Sequence, residues 1–136
     1  MTAKSSKQPS AVAEHTALVQ RMTDAQHVLG PTLTTALAGQ AELIHAFMTA
    51  QGFWQYDNTG EKIALMHSEL SEALEADRKS LPSDKIDGFS GVEEELADVL
   101  IRILDFAGHH QLRLGEALTA KVLYNLTRPY KHGKAY

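Results

Sequence analysis

The chain contains no cysteine. That absence excludes a disulfide scaffold, a thiolate metal site and a cysteine nucleophile. A basic excess is missing too: 13 Lys and Arg stand against 17 Asp and Glu, for a net charge of −4. A general binder of nucleic-acid polymers would carry the opposite balance. No apolar run approaches the roughly 20 residues of a membrane span. The polar start Met1–Ser10 lacks the apolar core of a secretory signal, so the expected compartment is the cytoplasm. Strand-type alternation and internal repeats are likewise missing, apart from one pair of acidic motifs described below. What remains is 136 residues, 43% hydrophobic and 22% charged, the size and balance of one globular domain. A chain of this length buries roughly two thirds of its unfolded surface and needs no staple.

The periodicity is helical throughout. Leu18, Met22, Ala25 and Leu29 mark a first segment, which Gly30-Pro31 is expected to stop. Leu33, Leu37, Ala41, Ile44 and Met48 mark a second, with Gly52 as its C-cap. An aromatic loop, Phe53 to Asn58, leads to a third segment over 61–79, carrying Ile63, Met66, Leu70, Ala73 and Leu74. The stretch 81–91 holds Pro, Gly, Ser and Asp and reads as a loop. A fourth segment over 92–108 carries Val92, Leu96, Val99, Leu100, Ile103 and Ala107. The fifth, over 114–127, carries Leu118, Val122 and Leu126 before Pro129. The expected fold is an all-α bundle of four core helices over 31–136, preceded by an N-terminal extension over 1–30.

The third and fourth segments share a design. Glu69-x-x-Glu72 and Glu95-x-x-Asp98 each place two carboxylates about 60° apart on one helical edge, beside an apolar arc. Packed through those arcs, the helices bring four carboxylates together. Four such charges cannot all stay ionised and dry, so a cation belongs between them. Oxygen ligands in this number suit Mg²⁺, with Mn²⁺ able to substitute. Glu75, Glu93 and Glu94 are read as ordinary solvated acids, the last two favouring the helix dipole in the first turn. Lys62 and Arg102 lie two turns along the same edges, placed either to pair with an acid or to contact a phosphate. Asp105, seven after Asp98, extends the acidic edge. In the fifth segment Lys121, Asn125 and Arg128 are spaced i, i+4, i+7 and line one face. That stripe feeds into Lys131, His132 and Lys134 around Gly133, a local anion site in an acidic protein.

Together these residues resemble the MazG-like family of all-α nucleoside triphosphate pyrophosphohydrolases. The resemblance runs from about Gln40 to the C-terminus. It is carried by Glu61-Lys62, Ser68 to Ala73, Glu94 to Leu100, and Lys121 through Asn125 and Arg128 to Lys134. It implies hydrolysis of a (deoxy)nucleoside triphosphate to the monophosphate and pyrophosphate, as nucleotide-pool house-cleaning. It further implies that Glu69, Glu72, Glu95 and Asp98 hold Mg²⁺ and carry the catalysis. Lys62, Arg102, Lys121, Asn125, Arg128, Lys131, His132 and Lys134 are the matching candidates for substrate contacts, and Trp54 for base stacking. It implies a homodimer or homotetramer. Two rivals stand beside it. A di-iron bundle wants Glu-x-x-His pairs, for which Glu42-x-x-His45 and the poorer Asp24-x-x-His27 are available. A non-enzymatic helical interaction module accounts for the composition, but not for the matched acidic edges.

Overall fold

The computed structural model describes residues 11–129, with side chains from residue 13 onward. It is all-α: α1 spans Ala11–Ala50, α2 Thr59–Lys79, α3 Gly91–His109 and α4 Leu114–Leu126. Among the described residues the extended backbone amounts to one isolated bridge, Pro82 to Ser90.

The first two expected segments are one helix. Gly30-Pro31 does not end it; Pro31 lies inside α1. Gly30 serves close packing instead of a cap. A Cβ there would fall 2.9 Å from Thr119 Cγ2. The other boundaries follow local signals. Gly52, at φ +87°, takes the left-handed conformation past the end of α1, with Phe53 N–H donating to Met48 O at 3.1 Å. Asn58 caps α2 by accepting from Glu61 N–H. Ser90 and Glu93 form a reciprocal capping box at the start of α3.

The chain forms two compact units. One comprises Met1–Thr35 with Gly115–Tyr136; the other is Ala36–Leu114. In the first, α4 packs on the N-terminal part of α1 through small residues: a Cβ on Gly115 would fall 2.5 Å from Thr34 Cα.

The second unit carries both acidic motifs. α2 and α3 run antiparallel, with Ala76 against Gly91 at one end and Glu69 against Arg102 further along. The C-terminal part of α1 packs on α3. Ala41, Leu104 and Ala107 form the buried cluster there, with Leu37, Ile44 and Leu114 against it. Gly108 allows that approach, since a Cβ on it would meet Ala41 O at 2.4 Å.

Much of the expected core is not buried. Leu70, Leu74 and Leu96 are nearly half exposed, and Leu100 is 58% exposed. The helices face each other through the small residues Ala73 and Ala76 instead. The larger side chains of the same arcs are left on an open face.

Candidate metal centre

Glu69, Glu95 and Asp98 come together. Each offers a carboxylate oxygen, and these atoms lie within 4.8 Å of one another. Two antiparallel helices with the same ExxE-type spacing produce this convergence. Glu69 is only 6% exposed. Its Oε1 accepts from Arg102 Nε at 2.6 Å, and the same oxygen pairs with the Nη2 of that guanidinium. Arg102 thus balances one charge of the three. Among the described residues Glu95 has no such partner: its Oε2 is sealed from solvent without a hydrogen bond. Burial, followed by the charge of Glu72, pushes the Glu95 carboxyl above the ordinary carboxylate range. A buried, unpartnered carboxylate oxygen beside two further acids fits a hard divalent cation, so these residues suit Mg²⁺ or Mn²⁺. Glu72 stands at the rim, exposed, with Ser68 Oγ donating to it at 3.4 Å.

Glu72 and Glu95 also line a cleft of about 470 Å³ between the ends of α2 and α3. The loop 81–90 closes its far side and changes the reading of Glu94. The bridge at Pro82–Ser90 and the bond from Gly91 N–H to Leu81 O, at 2.9 Å, fold this loop over the start of α3. Glu94, expected to be a solvated acid, is therefore 5% exposed. It accepts from Lys85 Nζ at 2.6 Å, Ser83 Oγ at 2.5 Å and Asp84 N–H at 3.2 Å. Those bonds, led by the Lys85 ammonium, hold its carboxyl down at about 2 and push Lys85 upward. Glu93 and Glu75 remain local, the first in the capping box and the second paired with Lys79.

A second cluster gathers around Trp54. Asp105, 5% exposed, accepts at Oδ1 from Trp54 Nε1 at 2.8 Å and from His45 Nδ1 at 3.0 Å. A carboxylate only accepts, so His45 carries its proton on Nδ1. The indole stacks on His109 with centroids 3.8 Å apart. Lys62 Nζ lies 4.2 Å from the ring centroid and donates to Phe53 O at 2.8 Å. Two groups this close to one ring cannot share a face, so the indole is sandwiched. A nucleobase stacking on Trp54 would have to displace His109 or Lys62. Lys62 itself pairs with neither acid of the ExxE edge; it secures the aromatic loop. Between the clusters lies a cavity of about 180 Å³, lined in part by Lys62, Arg102 and Asp105.

The basic stripe belongs to the other unit. Lys121 sits on α4 with its Nζ 4.9 Å from the Tyr124 ring, and Asn125 is exposed on the same helix. Arg128 lies just past the end of α4, in a turn where its N–H donates to Asn125 O at 3.2 Å. Lys131, His132 and Lys134 lie outside the described residues. Of the di-iron pairs, His45 is engaged with Asp105, Glu42 is exposed, and Asp24 accepts from Gln20 at 2.9 Å.

The chain is 28% identical over 113 residues to the mitochondrial ribosome-releasing factor 2 of Drosophila grimshawi, a match covering 83% of this chain. The matched part is 15% of that protein's length. No family model matches the chain. No solved structure matches it either. Among the described residues, no helix is long and apolar enough to cross a membrane.

Proposed function

We propose that the chain is a Mg²⁺-dependent pyrophosphohydrolase of (deoxy)nucleoside triphosphates, MazG-like in kind and acting in the cytoplasm on the nucleotide pool. The observation that carries this reading is the convergence of Glu69, Glu95 and Asp98 around the orphaned Glu95 Oε2. When bound there, Mg²⁺ would supply positive charge to neutralise phosphate oxygens as the α–β anhydride breaks. Glu69, Glu95 and Asp98 would hold the ion, with Glu72 reaching in from the rim. Arg102 positions Glu69, so its guanidinium acts on the site through that carboxylate. In the reaction a water oxygen bonds to the α-phosphorus and the bridging oxygen departs with pyrophosphate. A carboxylate of the site takes the water's proton. Lys121, Asn125, Arg128, Lys131, His132 and Lys134 enter this reading through the family resemblance alone, which makes them the candidates for substrate contacts.

The same reading takes the working unit as a homodimer or homotetramer. What supports it is the open apolar face of α2 and α3, where Leu70, Leu74, Leu96 and Leu100 are half exposed. An apolar face of that extent on paired helices is the kind that a second copy covers. The partial likeness to a ribosome-releasing factor speaks neither for nor against hydrolysis.

A panel of ribo- and deoxyribonucleoside triphosphates, incubated with the full chain and Mg²⁺ and resolved by anion exchange, tests the proposal. The expected products are a monophosphate and pyrophosphate in equal amounts. Diphosphate with inorganic phosphate, or no turnover of any nucleotide, would overturn it.

A further inference from the structure

The carboxylate trio is not the one place where ligand atoms converge. At the C-terminal end of α3, His109 Nε2 lies 3.6 Å from Asp57 Oδ2, and His110 Nε2 lies 3.9 Å from Asp57 Oδ1. All three groups can present atoms within 4.8 Å of one another. Neither contact is short enough for a hydrogen bond. His110 Nε2 is sealed from solvent and has no hydrogen-bond partner among the described residues. A buried imidazole nitrogen in that state loses its hydration and gains nothing in return.

We infer that Asp57, His109 and His110 form a second cation site, selective for a borderline divalent metal such as Zn²⁺, Co²⁺ or Ni²⁺. The donor set decides the class: two imidazole nitrogens and one carboxylate suit these ions, whereas Mg²⁺ prefers oxygen alone. The spacing agrees. Ligand bonds of about 2.0–2.1 Å in tetrahedral geometry set donor atoms about 3.4 Å apart. The two imidazole–carboxylate gaps, 3.6 Å to Oδ2 and 3.9 Å to Oδ1, lie close to that spacing, and ligand atoms of all three residues lie within 4.8 Å of one another. Each imidazole must offer Nε2 as a lone pair, with its proton on Nδ1. The end of α3 also carries the negative pole of that helix's dipole, which favours a cation. Three protein ligands leave one position of the tetrahedron for water or a further ligand.

The site has a structural consequence. Asp57 belongs to the aromatic loop between α1 and α2, while His109 and His110 end α3. A metal there clips the loop to the helix and fixes His109 under Trp54. This inference is independent of the pyrophosphohydrolase reading.

Trp54 is the only tryptophan in the chain, and it stacks directly on one proposed ligand. Its emission therefore reports the site. Titrating Co²⁺ into the full chain should quench that emission in one saturable phase. Zn²⁺ should reverse the quenching, and a tenfold excess of Mg²⁺ should not. Asp57→Asn and His110→Gln should each raise the half-saturating Co²⁺ concentration by at least about tenfold. Asp57 is half exposed, so its amide variant does not burden the fold. Glu95→Gln should leave the titration unchanged. The inference is overturned by an absence of saturable quenching, by Asp57→Asn and His110→Gln titrating like the native chain, or by loss of the signal in Glu95→Gln. That last result would assign the ion to the carboxylate trio.

Discussion

Replacing Glu95 by Gln should stabilise the metal-free protein and remove its response to Mg²⁺. Three carboxylates offer oxygens within 4.8 Å. Two unit charges at that distance repel by about 3–4 kcal/mol at an effective dielectric of about 20. Arg102 offsets the charge on Glu69, and solvent reaches Asp98 and Glu72, so the net relief is put at about 1–2 kcal/mol. For a chain of this size that corresponds to a rise in Tm of about 3–10 °C in chelator. The amide keeps the shape, so little packing is lost. Adding Mg²⁺ at a hundredfold excess over its Kd should stabilise the native chain by about 2.7 kcal/mol and the variant far less. The pH dependence carries the same signature. The folded-state Glu95 carboxyl titrates above its unfolded value, so the native chain keeps a proton there that the unfolded chain has released. Metal-free stability should therefore fall as pH rises from the ordinary carboxylate range through the raised value, and Glu95→Gln should lack that fall. Thermal unfolding by circular dichroism, in chelator and in Mg²⁺ over a pH series, measures all three effects. A variant with unchanged or lower Tm in chelator, and an undiminished Mg²⁺ response, would refute the reasoning.

The remaining predictions are more local. Glu94→Gln should lower Tm at neutral pH by loosening the loop 81–90; in the native chain this carboxylate's contribution is complete above about 4.5 and disappears as pH falls through about 2, so the two acid-unfolding curves should converge at low pH. Gly108→Ala should destabilise by about 2 kcal/mol or more in urea, since its Cβ would meet Ala41 O at 2.4 Å and His45 Cβ at 2.7 Å. Gly39→Ala has no atom within 4 Å of the added methyl and sits inside α1, so it should stabilise by up to about 1 kcal/mol in the same assay. Arg128→Ala should lower kcat/KM for the preferred nucleotide by about 2–3 kcal/mol, the scale of a lost charge-assisted hydrogen bond, in steady-state kinetics of pyrophosphate release.

Helix type and most helix ends were legible because they rest on local chemistry. Gly52 after α1 was read as a cap; Asn58 ahead of α2 and Ser90 with Glu93 ahead of α3 were not, although their partners lie just as near in the chain. Gly30-Pro31 misled because the same residues also serve a tertiary contact: Gly30 admits Thr119, nearly ninety positions away, which local rules do not register. The sequence placed four carboxylates together because helical phase is a local property and two helices repeated it; three of them converge, while Glu72 stands exposed at the rim. Arg102 was visible by the same phase, and its partner proved to be Glu69. Glu94 was misread because the dipole argument stops at the first turn, whereas the loop that buries it folds back through a bridge. The Asp57, His109 and His110 group was invisible, because its members come from a loop and a helix end about fifty residues apart with no shared period. The apolar arcs of α2 and α3 were identified correctly as arcs, but alanines take the contact between the helices and leave the leucines outside.

The central claim is that the carboxylate trio is where triphosphate hydrolysis takes place. Its most direct test is pyrophosphate release by Glu69→Gln, Glu95→Gln and Asp98→Asn, measured with Mg²⁺ beside Glu75→Gln and Glu93→Gln. Each trio variant should lose at least about 10²-fold in kcat while staying helical, chelator should silence the native chain, and the two controls should match it. Native turnover in excess chelator, or trio variants as active as the controls, would contradict the account.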